Sequence, residues 1–141
     1  MLFNLTPFAL LFTIAAIGIS ETSYLIRKRV AAQKPVCPIG EGCEIVLASR
    51  YNRMFFGLHN DIAGMIFYIL VAVICALIVL EAYFILRLVL AMELLLIAAS
   101  IMSTAFLYIQ WRVIKAWCFW CVMSAVTVGA MDLIISFAVL L

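Results

Sequence analysis

Hydrophobic residues in this chain form long runs that polar residues interrupt at only a few points. The first run is broken only by Glu21 and stops at Arg27, and another extends over residues 62–109. A single helix over residues 62–109 would be roughly 70 Å long, more than twice the thickness of a bilayer core. The run must therefore fold back, and Glu81 and Arg87, the two charges near its middle, mark the turn.

This pattern predicts an all-α fold, an integral membrane four-helix bundle in a single domain of residues 1–141. A long loop with several Pro and Gly residues separates the first two helices, and a short polar link precedes the last. The first run lacks a basic leading segment and a small-residue cleavage site, so we interpret it as a span and not as a signal peptide. The predicted spans are about 5–26, 62–80, 84–108 and 117–141, with the loop at 27–61 and the link at 110–115.

Composition strengthens this prediction. Hydrophobic residues make up 70% of the chain, with only nine Lys and Arg and seven Asp and Glu. A soluble domain is usually near half apolar and about a quarter charged, so this chain cannot cover a water-facing surface. A soluble enzyme and a disordered tail are therefore excluded. The net charge of +2 is too small to indicate a nucleic-acid partner.

The five cysteines are the best candidates for chemistry. Cys75 lies within the second span, where a packed small hydrophobic residue is the simplest interpretation. Cys37 and Cys43 enclose Pro-Ile-Gly-Glu-Gly, and such a segment can reverse so that two Cα atoms approach to about 5.5 Å. This indicates a reversible disulfide within the loop.

Cys118 and Cys121 form a C-F-W-C motif where the last span begins. The free N–H groups and the positive dipole end of a helix N-terminus stabilise a thiolate, and a thiol with a lowered pKa is a better leaving group in disulfide exchange. Cys121 should lie one turn deeper in the membrane. A c-type haem is excluded because Val122, not His, follows Cys121.

Four thiolates could instead hold a structural zinc ion. Against this, the five-residue spacing between Cys37 and Cys43 is unusual for a zinc site, and no His accompanies the four cysteines. A membrane protein that binds metal without catalysis stays open as an alternative at this point.

The ordered set of motifs resembles the vitamin K epoxide reductase family in its short prokaryotic form, over nearly the whole chain. The resemblance rests on the loop pair, then Ser49, then Asn60 in N-D-I-A-G-M-I-F-Y, and then C-F-W-C at the fourth helix. Another quinone-linked family of four-helix proteins also has two cysteine pairs, but its CxxC precedes the loop pair.

The resemblance implies a role for each of these residues. Cys43 would exchange with a thioredoxin-like protein, Cys37 would pass electrons to Cys118, and Cys121 would reduce a quinone of the ubiquinone or menaquinone type. Ser49 would help to order the loop. Asn60 would donate a hydrogen bond to a quinone carbonyl, where charge develops during reduction.

Two departures from the family pattern change these expectations. Some animal relatives have Tyr four residues after the second CxxC cysteine, where this chain has Ala125. A second donor to the quinone is therefore missing or supplied elsewhere, which favours simple quinone reduction over epoxide reduction. Many bacterial relatives carry a fused thioredoxin-like domain, and here we expect the partner to be a separate protein.

Trp117 directly precedes the CxxC and Trp120 lies within it, and both are candidates for contact with the quinone. The alternative is an aromatic belt at the membrane interface, which is the favoured interpretation for Tyr108 and Trp111.

The charges and the family disagree on orientation. Basic residues near span ends favour the cytoplasm, and the cysteine side carries eight of the nine: Arg27, Lys28, Arg29, Lys34, Arg50, Arg53, Arg112 and Lys115. The charge count predicts cysteines facing the cytoplasm, as an organism that keeps disulfides inside its cells would need. The usual family orientation implies the extracytoplasmic side.

Taken together, the sequence predicts a membrane thiol oxidoreductase that oxidises a thioredoxin-like partner, reduces a quinone and drives protein disulfide formation. A quinone or epoxide reductase of the vitamin K type is one alternative. The metal-binding membrane protein is the other.

Overall fold

The computed structural model describes residues 6–31, 60–80, 85–115 and 117–140. These residues form four long helices, each long and apolar enough to cross a membrane. The prediction of a four-helix membrane bundle is thus confirmed. The helices are α1 (Thr6–Val30), α2 (Asn60–Val79), α3 (Ile85–Ile109), which a π-helical segment (Gln110–Ile114) extends, and α4 (Phe119–Leu140).

The helices pack in a ring. Each contacts the helix before and after it in the chain, and α1 and α4 close the ring. Helix α2 runs antiparallel to α1, because Gly18 lies against Tyr68 whereas Arg29, further along α1, contacts Asp61 at the start of α2. The end of α1, the start of α2, the end of α3 and the start of α4 therefore share one end of the bundle, which we call the cysteine end.

Side chains fill the centre of the ring, among them Leu11, Tyr68, Cys75 and Met92, all without solvent exposure. Helices in lipid gain little from burying apolar surface, so close backbone approach and good packing hold them together. Gly18 illustrates this approach. A Cβ atom there would lie 2.5 Å from the Tyr68 ring, so only glycine allows α1 to approach α2 this closely.

Two boundaries differ from the sequence prediction. Helix α1 continues through Arg27–Arg29, where the loop was expected to begin, since cations are favourable at a helix C-terminus. The predicted polar link at 110–115 is helical as far as Ile114. It ends at Lys115, whose φ of 58° is left-handed and whose N–H donates to the Gln110 carbonyl. Most of the predicted loop, including Cys37, Cys43 and Ser49, lies outside the described residues.

Candidate functional site

Cys118 is the N-cap residue of α4. Its carbonyl accepts the first hydrogen bond of the helix, from the Val122 N–H at 3.0 Å, and its own side chain is completely buried. The sulfur of an N-cap cysteine faces the unpaired N–H groups of the first turn. Here the N–H groups of Trp120 and Cys121 donate to it. Local folding alone therefore places Cys118 where a thiolate is stabilised.

Cys118 and Cys121 are both free thiols in this structure. The hydrogen bond from the Cys121 side chain is the largest influence on Cys118 and lowers its pKa below the usual value for cysteine. Burial opposes this shift, and the N–H groups of Cys121 and Trp120 reinforce it. Cys118 is thus the thiol of the motif that ionises more readily than an ordinary cysteine.

Gln110 holds the backbone of Cys118 in place. Its side chain is completely buried, and its Oε1 accepts a hydrogen bond from the Cys118 N–H at 2.9 Å. Its Nε2 has no hydrogen-bond partner within the described part of the chain. The sequence pattern predicts Gln110 only as part of a polar link, so its place beside Cys118 is a finding of the structure. An uncharged amide directly after an apolar span was the available signal.

A cavity of about 380 Å³ opens between the four helices at the cysteine end, and its size is in the range of small-molecule sites. Cys121 lines the cavity, whereas Cys118 is not part of its wall. The wall is mostly apolar, from residues such as Phe67, Leu95 and Phe106. Its polar residues are Glu21, Thr22, Asn60, Asp61, Tyr68, Ser103 and Ser124.

The structure brings three of the predicted site residues to this cavity, namely Asn60, Trp120 and Cys121. The Trp120 ring also packs on Tyr24 of α1, with 5.1 Å between ring centroids. Trp117 does not reach the cavity. It precedes the first turn of α4 and its side chain is 50% exposed, which fits the alternative of an interfacial aromatic residue.

Asp61, one of the polar residues of the cavity wall, forms an ion pair with α1. Arg29 Nε lies 3.0 Å from Asp61 Oδ2, and the Asp61 side chain is only 5% exposed. Asp61 Oδ1 also accepts the N–H of Ile62 at 2.8 Å. A buried carboxylate is costly unless it is paired in this way. The pair fixes the start of α2, and with it Asn60, against the end of α1.

The site combines a stabilised thiolate with a second thiol that faces an apolar cavity. Such an arrangement suits disulfide exchange at Cys118 and electron transfer from Cys121 to a flat, largely apolar molecule. The polar side chains of the wall would meet the few oxygen atoms of such a molecule.

The chain was also compared with known proteins. A family model described as the vitamin K epoxide reductase family matches residues 9–136. The matched range includes both cysteine pairs and Asn60. None of the curated proteins with which the chain was compared matches it.

Proposed function

The chain belongs to the vitamin K epoxide reductase family, and from this premise we propose that it oxidises a thioredoxin-like dithiol protein and reduces a quinone. Protein disulfides would be the product. The family implies an integral membrane oxidoreductase that acts on quinones and thiols. One observation carries the finer proposal: Cys121 faces the cavity while Cys118, its partner in the motif, caps the helix away from it.

In the proposed sequence, the partner dithiol first reduces a Cys37–Cys43 disulfide through Cys43 and is itself oxidised. The Cys37 thiolate then attacks the sulfur of Cys118 in a Cys118–Cys121 disulfide, and Cys121 leaves as a thiolate. Cys43 next attacks Cys37 and releases the Cys118 thiolate. The lowered pKa of Cys118 supports its part as the leaving group of this last step.

The cavity fits a quinone headgroup in size and in chemistry. A bound quinone supplies an acceptor for two electrons. Asn60 and Trp120 both line the cavity, where Asn60 would donate a hydrogen bond to a quinone oxygen and Trp120 would present an aromatic face, and the mostly apolar wall would exclude water. At this wall the Cys118–Cys121 dithiol would give up two electrons and two protons, the quinone would leave as the quinol, and the Cys118–Cys121 disulfide would form again.

The test is quinone consumption by the purified protein with a reduced thioredoxin-like protein, followed by quinone absorbance. We expect turnover by the wild type and none by Cys118→Ala or Cys121→Ala. Cys75→Ala is the matched control, because Cys75 is a buried thiol outside the cavity wall and its loss should leave turnover in place.

Absence of turnover together with one bound zinc ion per chain would overturn the proposal in favour of a metal-binding protein. The described residues contain no group of three or more His, Cys, Asp or Glu side chains able to hold a metal. Because Cys37 and Cys43 lie outside that part of the chain, the metal measurement belongs in the same experiment.

A further inference from the structure

A pair of hydroxyl groups spans the bundle deeper in the cavity. The Tyr68 hydroxyl of α2 and the Ser124 Oγ of α4 lie 2.8 Å apart, and both residues line the cavity. Ser124 follows Cys121 by three residues and therefore lies about one helical turn below it on the same face. The pair thus sits beside the thiol that faces the cavity.

The surroundings of Tyr68 hold this pair in place. The Tyr68 side chain is completely buried, with its ring against Gly18 and edge-on to Phe67 at 5.1 Å between ring centroids. Its hydroxyl cannot swing away without moving the ring out of this packing. Ser124 is only partly buried, so it is the member of the pair that has surface left for a ligand.

The number of hydroxyl hydrogens determines which residue of the pair can donate a hydrogen bond to a ligand. Two hydroxyl groups carry two hydrogens, and the bond between them uses one. A phenol is the more acidic group, so Tyr68 is the natural donor and Ser124 keeps its own hydrogen. Hydroxyls of other helical residues donate to the carbonyl one turn earlier, as Thr22 does to Gly18 and Thr127 to Met123. Ser124 is instead bonded across the bundle.

We infer that Ser124, oriented by Tyr68, is the second hydrogen-bond donor to the quinone in this cavity. The inference rests on the proposed function and extends it. A quinone has two carbonyl oxygens, and leaving one unpaired in an apolar site weakens binding. Asn60 serves one oxygen at the mouth of the cavity and Ser124 serves the other. The absence of a donor group at Ala125 then leaves neither quinone oxygen without a hydrogen bond.

Quinone binding, measured by quenching of tryptophan fluorescence during titration with a short-tailed quinone, tests this inference. Ser124→Ala should raise the Kd about five- to twentyfold, the value of one hydrogen bond in an apolar site. Ser124→Thr keeps a hydroxyl and should restore binding. Tyr68→Phe should weaken binding less, and the double variant should bind no worse than Ser124→Ala, because the two residues act as one unit.

Thr127→Val is the matched control, since it removes a hydroxyl from the same helix that is bonded to Met123 and does not line the cavity. It should leave the Kd unchanged. An unchanged Kd for Ser124→Ala, with wild-type binding and turnover intact, would overturn this inference alone. Failure of the wild type to bind quinone would overturn the proposed function as well.

Discussion

Cys118 gains its acidity from its neighbours, and chiefly from one of them. The side chain of Cys121 donates the hydrogen bond that does most to stabilise the Cys118 thiolate, and two backbone N–H groups add to it. The two cysteines of the motif therefore have unequal parts, although the C-F-W-C sequence looks symmetric. One is prepared to ionise, and the other supplies the proton of the hydrogen bond while it faces the cavity.

This asymmetry predicts the pH dependence of alkylation in the reduced protein. Because the pKa of Cys118 is lowered, its reaction with iodoacetamide should begin at a lower pH than that of an ordinary cysteine and fade as the pH falls through the lowered value. Cys121→Ala removes the main donor and should move the midpoint of the profile to higher pH. Peptide mapping by mass spectrometry separates Cys118 from the other thiols. A profile that Cys121→Ala leaves in place would contradict this account.

Among the elements, the π-helical segment is the one that joins α3 to the reactive motif. It carries Gln110 inward, and the left-handed Lys115 then stops the helix so that α4 can begin nearby. Single π-helical turns are frequent at functional sites. Here the Gln110 side chain accepts a hydrogen bond from the Cys118 N–H, which fixes the position at which α4 starts.

Gln110→Leu should therefore act on the chemistry more than on the fold. Without the Oε1 acceptor, Cys118 loses its fixed position and the N–H groups of Trp120 and Cys121 no longer align on its sulfur. Quinone consumption should fall about tenfold, as expected for the loss of one buried hydrogen bond, and the alkylation profile of Cys118 should move to higher pH.

Ser100→Ala provides the comparison for this variant. Ser100 is on α3, the helix that leads into the π-helical segment, and its hydroxyl is also buried without a partner among the described residues, but it does not line the cavity. Ser100→Ala should change neither the rate of quinone consumption nor the alkylation profile of Cys118. A Gln110→Leu protein with an unaltered alkylation profile would show that Gln110 is only a packing residue.

For the molecule as a whole, the uneven distribution of basic residues has a structural counterpart. Arg27, Lys28 and Arg29 form the last turn of α1, and Arg112 and Lys115 lie at the π-helical segment, all at the cysteine end. Arg87 lies near the start of α3, at the opposite end. The described helices therefore keep the charge asymmetry that predicts a cytoplasmic cysteine end.

Reporter fusions at the C-terminus test this orientation. With four spans both termini lie opposite the cysteine end, so a reporter that works only outside the cell should be active if the cysteines face the cytoplasm. The same reporter fused after residue 31, at the cysteine end, should be inactive. The reverse result would establish the usual family orientation.

The number of helices and the position of the CxxC could be predicted from the sequence, because a bilayer demands about 20 apolar residues for each crossing. The sequence did not allow a prediction of which residues of each helix face the cavity. All faces of these spans are apolar, so the pattern does not reveal how each helix is rotated, and Tyr68 and Ser124 went unnoticed. Gln110 was not predicted as a site residue because no sequence pattern predicts a π-helical turn.

The ion pair between Arg29 and Asp61 holds together, at the cysteine end, the two ends of the chain segment that connects α1 to α2 and carries Cys37 and Cys43. Cys37 is eight residues beyond Arg29, so whatever path the segment takes, that thiol stays within roughly 28 Å of the pair. A thiol tethered within this distance has an effective concentration in the millimolar range near the cysteine end. If Cys37 passes electrons to Cys118 as proposed, that step would be an intramolecular encounter, and its rate should not depend on how much protein the membrane contains.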